Sequence, residues 1–311
     1  MTSLSLVSEV RISDESLTVQ IALIEHEGFR LTYAGPLGGE PRAAPSRTPR
    51  MPASPDLPAG LALMAQRGTG YGGAGLIDAV NLTTGQIVNP RPTGLRKAAP
   101  DKLLLEACDK ISGLKAEVAI SVEAGAIRCH TRLANEGSNR LAIGRCASLL
   151  WPLPDWASSV RANYGSWARE GFEVVHELDA GAFERISRLG RTGFDGPPAF
   201  TLADHRTQRA AGRVMRAGLE WSGSHRLRAE RFPNGAGECC AEVLFEPGEM
   251  VLEPGGMFEA PAAFVLLSEE GLDGMTALSH RYARARNRPA ERHKESVAVT
   301  RPVHFNTWEA R

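Results

Sequence analysis

Alternation of apolar and polar positions dominates the first 260 residues. Thr18-Val19-Gln20-Ile21-Ala22-Leu23-Ile24 and Phe29-Arg30-Leu31-Thr32-Tyr33 carry a period of two, which places successive side chains on opposite faces of a strand. They predict a hairpin turning at 25–28. Residues 117–122 place Val118, Ile120 and Val122 on one face; Glu123-Ala124-Gly125 turns the chain, and Ile127, Cys129 and Thr131 continue on the return. A second turn at 135–139 leads into 141–150. Further strands are predicted at 173–178, 199–202, 214–221, 240–245 and 257–267. Many short strands between Gly, Pro and Asn turns imply an all-β fold, antiparallel sheets stacked as a large sandwich.

Two segments depart from that rhythm. Residues 36–58 hold seven prolines among Arg, Ala and Ser, the composition of a long surface loop. In 271–286 the period changes: Met275, Leu278, Tyr282 and Ala285 recur at helical spacing. Asp273 is placed to cap that helix, and Arg281, Arg284 and Arg286 suit the negative end of its dipole. Asn287-Arg288-Pro289 stops it, a basic linker runs to about 294, and 297–305 reads as another strand.

Composition narrows the function. At 42% hydrophobic and 23% charged residues the chain has the make-up of a soluble globular protein. Lys+Arg and Asp+Glu balance at 36 each, without the basic excess of a nucleic-acid binder. No apolar run reaches the roughly 18 residues of a membrane helix, and no secretory leader is visible in the sequence. The five cysteines are odd in number and irregularly spaced, which suits reduced thiols in a cytoplasm.

Motifs give less. Gly68-Thr69-Gly70-Tyr71-Gly72-Gly73 satisfies the letters of a dinucleotide fingerprint, yet Ala74-Gly75-Leu76-Ile77 is a poor helix start and no acid occurs between 79 and 100. The glycines make a turn or loop that could approach a ligand. Cys239-Cys240 has no partners at zinc spacing and reads as core. His304 is equally an inward barrel residue or a strand residue. Trp167-Ala168-Arg169-Glu170 and 188–198 are dense in polar, aromatic and Gly/Pro residues. They suit loops that shape a pocket or interface as well as an ion-paired sheet edge. No pair of carboxylates is nominated by spacing, and neither a cofactor nor a metal is expected.

These last segments, together with Asn306-Thr307-Trp308-Glu309-Ala310 after an Arg-Pro-Val strand, resemble the amino-terminal region of α-galactosidases of glycoside hydrolase family 36. Trp167-Ala168-Arg169-Glu170, the 188–195 stretch and Gly271-Leu272-Asp273-Gly274-Met275 agree with it in order and spacing. The resemblance implies a β-supersandwich over 1–270, a helix and linker over 271–296, and the first strand of a (β/α)8 barrel over 297–311, truncated. A whole barrel takes about 250 residues. It also implies a retaining hydrolase of terminal α-linked galactose, a galactoside oligosaccharide as ligand, and a homo-oligomer. The family's catalytic aspartates lie on later barrel strands, the nucleophile in Lys-x-Asp, and none of the five lysines here precedes an Asp by two positions. The chain alone is therefore expected to be inactive. Trp308 matches the family's sugar-packing tryptophan. Tyr71 stands where the family's Gly-x-Gly-Asp segment has its aspartate, leaving a phenol as the group that could meet sugar. The alternative is a stand-alone β-sandwich, a non-catalytic carbohydrate-binding or assembly module.

Overall fold

Alternating segments become strands where one face finds a second layer to bury against. In the computed structural model, which describes residues 5–37, 39, 62–66, 71–233 and 235–286, this happens in three sheets. β1 (Leu6–Ser13), β2 (Leu17–Ile24) and β3 (Gly28–Pro36) form the first. β4 (Ile77–Asn81) precedes a meander of β5 (Arg91–Ala99), β6 (Lys102–Cys108), β7 (Leu114–Glu123) and β8 (Ala126–Asn135). β9 (Leu141–Pro152) crosses to the opposite layer. β10 (Ser159–Ser166) and β11 (Arg169–Glu177) form a hairpin, followed by β12 (Gly181–Ser187), β13 (Ala199–Ala203) and β14 (Val214–Leu219). The chain continues through β15 (His225–Arg231), β16 (Gly237–Val243), β17 (Val251–Leu252), β18 (Met257–Glu259) and β19 (Ala263–Ser268) to one helix, α1 (Gly271–Arg286).

A ten-stranded sheet runs β11-β10-β13-β14-β19-β8-β7-β6-β5, with β18 also on β8. A six-stranded sheet runs β12-β15-β16-β9-β17, with β4 on β9. All strand pairs in these ladders are antiparallel. One core joins the layers: Val19 and Ile21 from the first sheet, Leu103, Leu105 and Ile120 from the second, and Leu149, Cys239 and Ala241 from the third are all buried in it. The turn at 123–125 and the hairpin at 25–28 lie where alternation placed them.

α1 covers the other face of the ten-stranded sheet, where Met275 and Tyr282 pack on Ala126, Val214 and Leu266. Its bounds match the helical spacing, and Arg284 and Arg286 fall in its last turn as expected, but its start is capped differently. The leading N–H groups of Gly271, Leu272 and Asp273 donate to the carbonyls of Gly212, Gln208 and Arg209, so a loop caps the helix and the Asp273 carboxylate turns outward to Arg209 at 3.4 Å. Gly271 is required there: its φ is +64°, and a Cβ would lie 2.3 Å from the Gln208 carbonyl. Arg281 donates to the Ala124 carbonyl at 3.0 Å, and Arg286 reaches Glu220, so both face the sheet. The strand expected over 257–267 is split, because Pro261 lacks an N–H for the ladder. Most of the 36–58 stretch, the strand at 297–305, His304 and Trp308 lie outside the described residues.

Candidate functional site

Tyr71 is the one expected ligand residue among those described. It leads a loop over the outer face of the six-stranded sheet, where β16 is buried on both sides. Glu238, fully buried on that strand, accepts from the Tyr71 hydroxyl and from the Ala74 N–H at 2.7 Å. Further along the same face, Glu242 receives Arg145 at 2.9 Å and Arg226 at 3.2 Å. Arg145 in turn donates to the Ala74 carbonyl. Both polar groups of one peptide residue are thus gripped from the sheet. A Cβ on Gly73 would fall 2.5 Å from the Glu238 carboxylate and the Tyr71 ring, so the loop needs glycine to pass. Tyr71 meets Phe232 edge-on at 6.3 Å. Burial first, then the Glu238 charge, push its phenol well above the ordinary tyrosine range. The group is a neutral donor committed within the chain. Gly68, Thr69 and Gly70 lie outside the described residues.

The two aromatic segments, far apart in sequence, come together. Trp167 turns the β10–β11 hairpin, and its ring meets Phe194 edge-on at 5.6 Å. Arg169 covers Phe172 at 5.1 Å. Beneath them Arg185, 6% exposed, donates to the Asn163 carbonyl at 2.5 Å and the Pro197 carbonyl at 3.0 Å, and lies over the Tyr164 ring at 4.5 Å. One buried guanidinium therefore fastens hairpin and loop, while Trp167 remains 69% and Phe194 50% exposed. The ion-paired edge is what the fold shows here: β11 is the edge of its sheet with Glu173 on Arg161 at 2.7 Å, and its turn carries a protruding aromatic pair.

Sequence reasoning gave no warning of a third cluster. Glu220, after β14, receives Arg128 at 3.2 Å, Arg286 at 3.4 Å and the Tyr282 hydroxyl. It joins three segments that no local pattern connects. Cys129, Cys146, Cys239 and Cys240 are buried and unbridged; burial raises each thiol, that of Cys129 to about 12, so they are packing groups rather than nucleophiles. Among the described residues no three His, Cys, Asp or Glu side chains converge as metal ligands, and no helix is long and apolar enough to cross a membrane.

Residues 80–243, just over half the chain, match the family model described as the glycosyl hydrolase family 36 N-terminal domain. An Escherichia coli α-galactosidase is 31% identical over 208 residues, covering 67% of this chain and 28% of that protein. The α-galactosidase AgaA of Geobacillus stearothermophilus is 27% identical over 184 residues, covering 58% and 24%. The matched stretches thus span under a third of the length of these relatives. The fold of crystalline AgaA superposes with a TM-score of 0.80 at 19% identity, over 93% of this chain and 45% of that one. An AgaA structure in complex with raffinose gives 0.76 at 19% identity, over 91% and 44%.

Proposed function

Because the chain belongs to the glycosyl hydrolase family 36 N-terminal domain family, we propose that it is the amino-terminal sandwich of a retaining α-galactosidase that releases terminal α-linked galactose from oligosaccharides. The observation carrying this reading is the family match across 80–243, which runs from β4 to the end of β16 and includes both gripping carboxylates. In this reading 1–270 is scaffold, 271–296 connects, and 297–311 begins a (β/α)8 barrel whose later strands bring the chemistry. A retaining glycosidase works with two carboxyls about 5–5.5 Å apart, one as nucleophile and one as acid/base. No Lys-x-Asp occurs in these 311 residues to supply the family's nucleophile.

Trp308 is assigned to the sugar, since an indole face matches the apolar C–H face of galactose. Tyr71 holds its loop instead: its proton is donated to Glu238, and meeting a sugar would break that bond. The exposed Trp167–Phe194 pair is a contact for a neighbouring copy or domain, in keeping with a homo-oligomer. The unbridged cysteines suit a cytoplasmic enzyme.

The test is to read the gene past the codon for Arg311 in all three frames and express the longest product. A barrel frame with Lys-x-Asp whose product hydrolyses raffinose or melibiose is expected. A confirmed stop with no barrel in any frame would withdraw the enzyme reading and leave a non-catalytic module.

A further inference from the structure

Between the last turns of α1 and the outer face of the ten-stranded sheet lies a cleft of about 470 Å³. Phe264 and Leu266 form its floor, Tyr282 and Ala283 its helical wall, and Arg216 and Glu220 its polar part. Glu220 is already engaged by two guanidiniums and a phenol. Arg216 is half-buried on β14, and its ladder neighbours are Thr201 on one side and Leu266 on the other, a hydroxyl and an aliphatic chain. Its guanidinium makes one long hydrogen bond, 3.4 Å to Thr201 Oγ1, and no ion pair among the described residues. Burial alone acts on its charge, and it depresses the pKa.

Other buried or half-buried arginines among the described residues are matched. Arg145 faces Glu242, Arg185 donates to two carbonyls, and Arg231 donates to the carbonyls of Leu178, Gly235, Pro154 and Ala157. A partly desolvated cation without an anion is unfavourable, and the planar fork of arginine is shaped to take a carboxylate through two parallel hydrogen bonds.

We propose that this cleft receives a carboxylate on an apolar stem, an aspartate or glutamate side chain of a further domain of the longer protein, with Arg216 as its counter-ion. This rests on reading the chain as one part of a longer glycosidase. The relatives carry most of their length outside the matched region. Arg286, the last described residue, lines the same cleft. The aromatic and aliphatic floor suits a packed side chain better than a polyhydroxylated sugar.

The experiment is thermal unfolding of the 311-residue chain and of Arg216→Met, each titrated with butyrate, which mimics a glutamate side chain, and with butanol, which lacks the carboxylate. Arg216→Met keeps the packing of the stem and removes the unpaired charge, so it is expected to melt above the parent in buffer. Butyrate is expected to raise the parent's midpoint with half-saturation on the order of 10 mM, and to leave Arg216→Met unmoved; butanol should shift neither. Arg216→Lys keeps the charge without the fork and should need several-fold more butyrate; it stands in if the methionine variant does not fold. A methionine variant that melts lower than the parent would overturn the proposal, since Arg216 would then have a partner within the chain. No response to butyrate would also overturn it, and sub-micromolar binding would reassign the cleft to a free acid. None of these readouts depends on glycosidase activity, so the cleft can fail while the enzyme reading stands, and the reverse.

Discussion

A single side chain can hold two parts of a fold that share no sequence pattern. Asp14, in the turn between β1 and β2, accepts the N–H groups of Ser16 and Leu17 at 2.8 Å and that of Gly125, across the sandwich, at 2.8 Å. Burial alone would raise its pKa, but these backbone donors and the Ser16 hydroxyl outweigh it and hold the carboxyl below the ordinary aspartate value. A depressed folded-state pKa means stability that is present above the unfolded value, about 3.9, and lost as pH falls through the folded value. Asp14→Ala should therefore unfold more easily at pH 7, by about 1 kcal/mol for a half-exposed group. The gap to the parent should close below about pH 4, as urea unfolding across pH would show. Tyr71→Phe leaves the ring in place and deprives buried Glu238 of a donor. It should cost about 1–3 kcal/mol, read from the same unfolding curves; an unchanged midpoint would mean that the phenol is free for another use.

At the scale of elements, β16 explains why a strand with two glutamates can be buried along almost its whole length. One face packs into the core through Cys239 and Ala241, and the other carries Glu238 and Glu242 under the 71–76 loop. Breaking one member of a buried ion pair strands its partners, which typically costs about 3–5 kcal/mol, whereas removing both charges costs much less. Glu242→Gln should accordingly lose about 3 kcal/mol, and Arg145→Met/Glu242→Leu should recover much of it, with Arg226 still facing Glu184 at 3.8 Å. Equal losses in single and double variants would argue that the loop, rather than the charge pair, is the sensitive part. At the sheet edge, β5 carries Arg91, Arg96 and Lys97 with most of its length exposed, the kind of charged edge that discourages pairing with another chain.

On the scale of the whole molecule, three sheets share one core and α1 covers a second, smaller one. In the reading proposed above, the catalytic carboxylate pair belongs to a barrel and not to this scaffold. The purified 311-residue chain is therefore expected to show no hydrolysis of an α-galactoside above buffer. Activity that survives purification and scales with this chain would place the chemistry in the sandwich and overturn the assignment to a barrel.

Local order was legible along the chain. Alternation placed the 123–125 turn, because β7 buries one face and so writes a period of two; β2 is buried on both faces over most of its length, and the polar break after its apolar run placed the 25–28 turn. Four apolar positions placed α1, because a helix has a different period from the strands around it. The ending at 301–310, with the segments at 167–170, 188–195 and 271–275 in agreement, carried the family resemblance. β5 and β11 were missed or shortened because edge strands bury too little for alternation to appear; β15 was missed although Leu227 and Ala229 alternate with Arg226, Arg228 and Glu230, a signal only two apolar positions long. Tertiary structure alone decided what meets what: Trp167 with Phe194, Tyr71 with Glu238, and Arg216 with no carboxylate among the described residues. Those contacts span tens to hundreds of positions along the chain. Their partners are chosen by how sheets stack and cross, which no local period records.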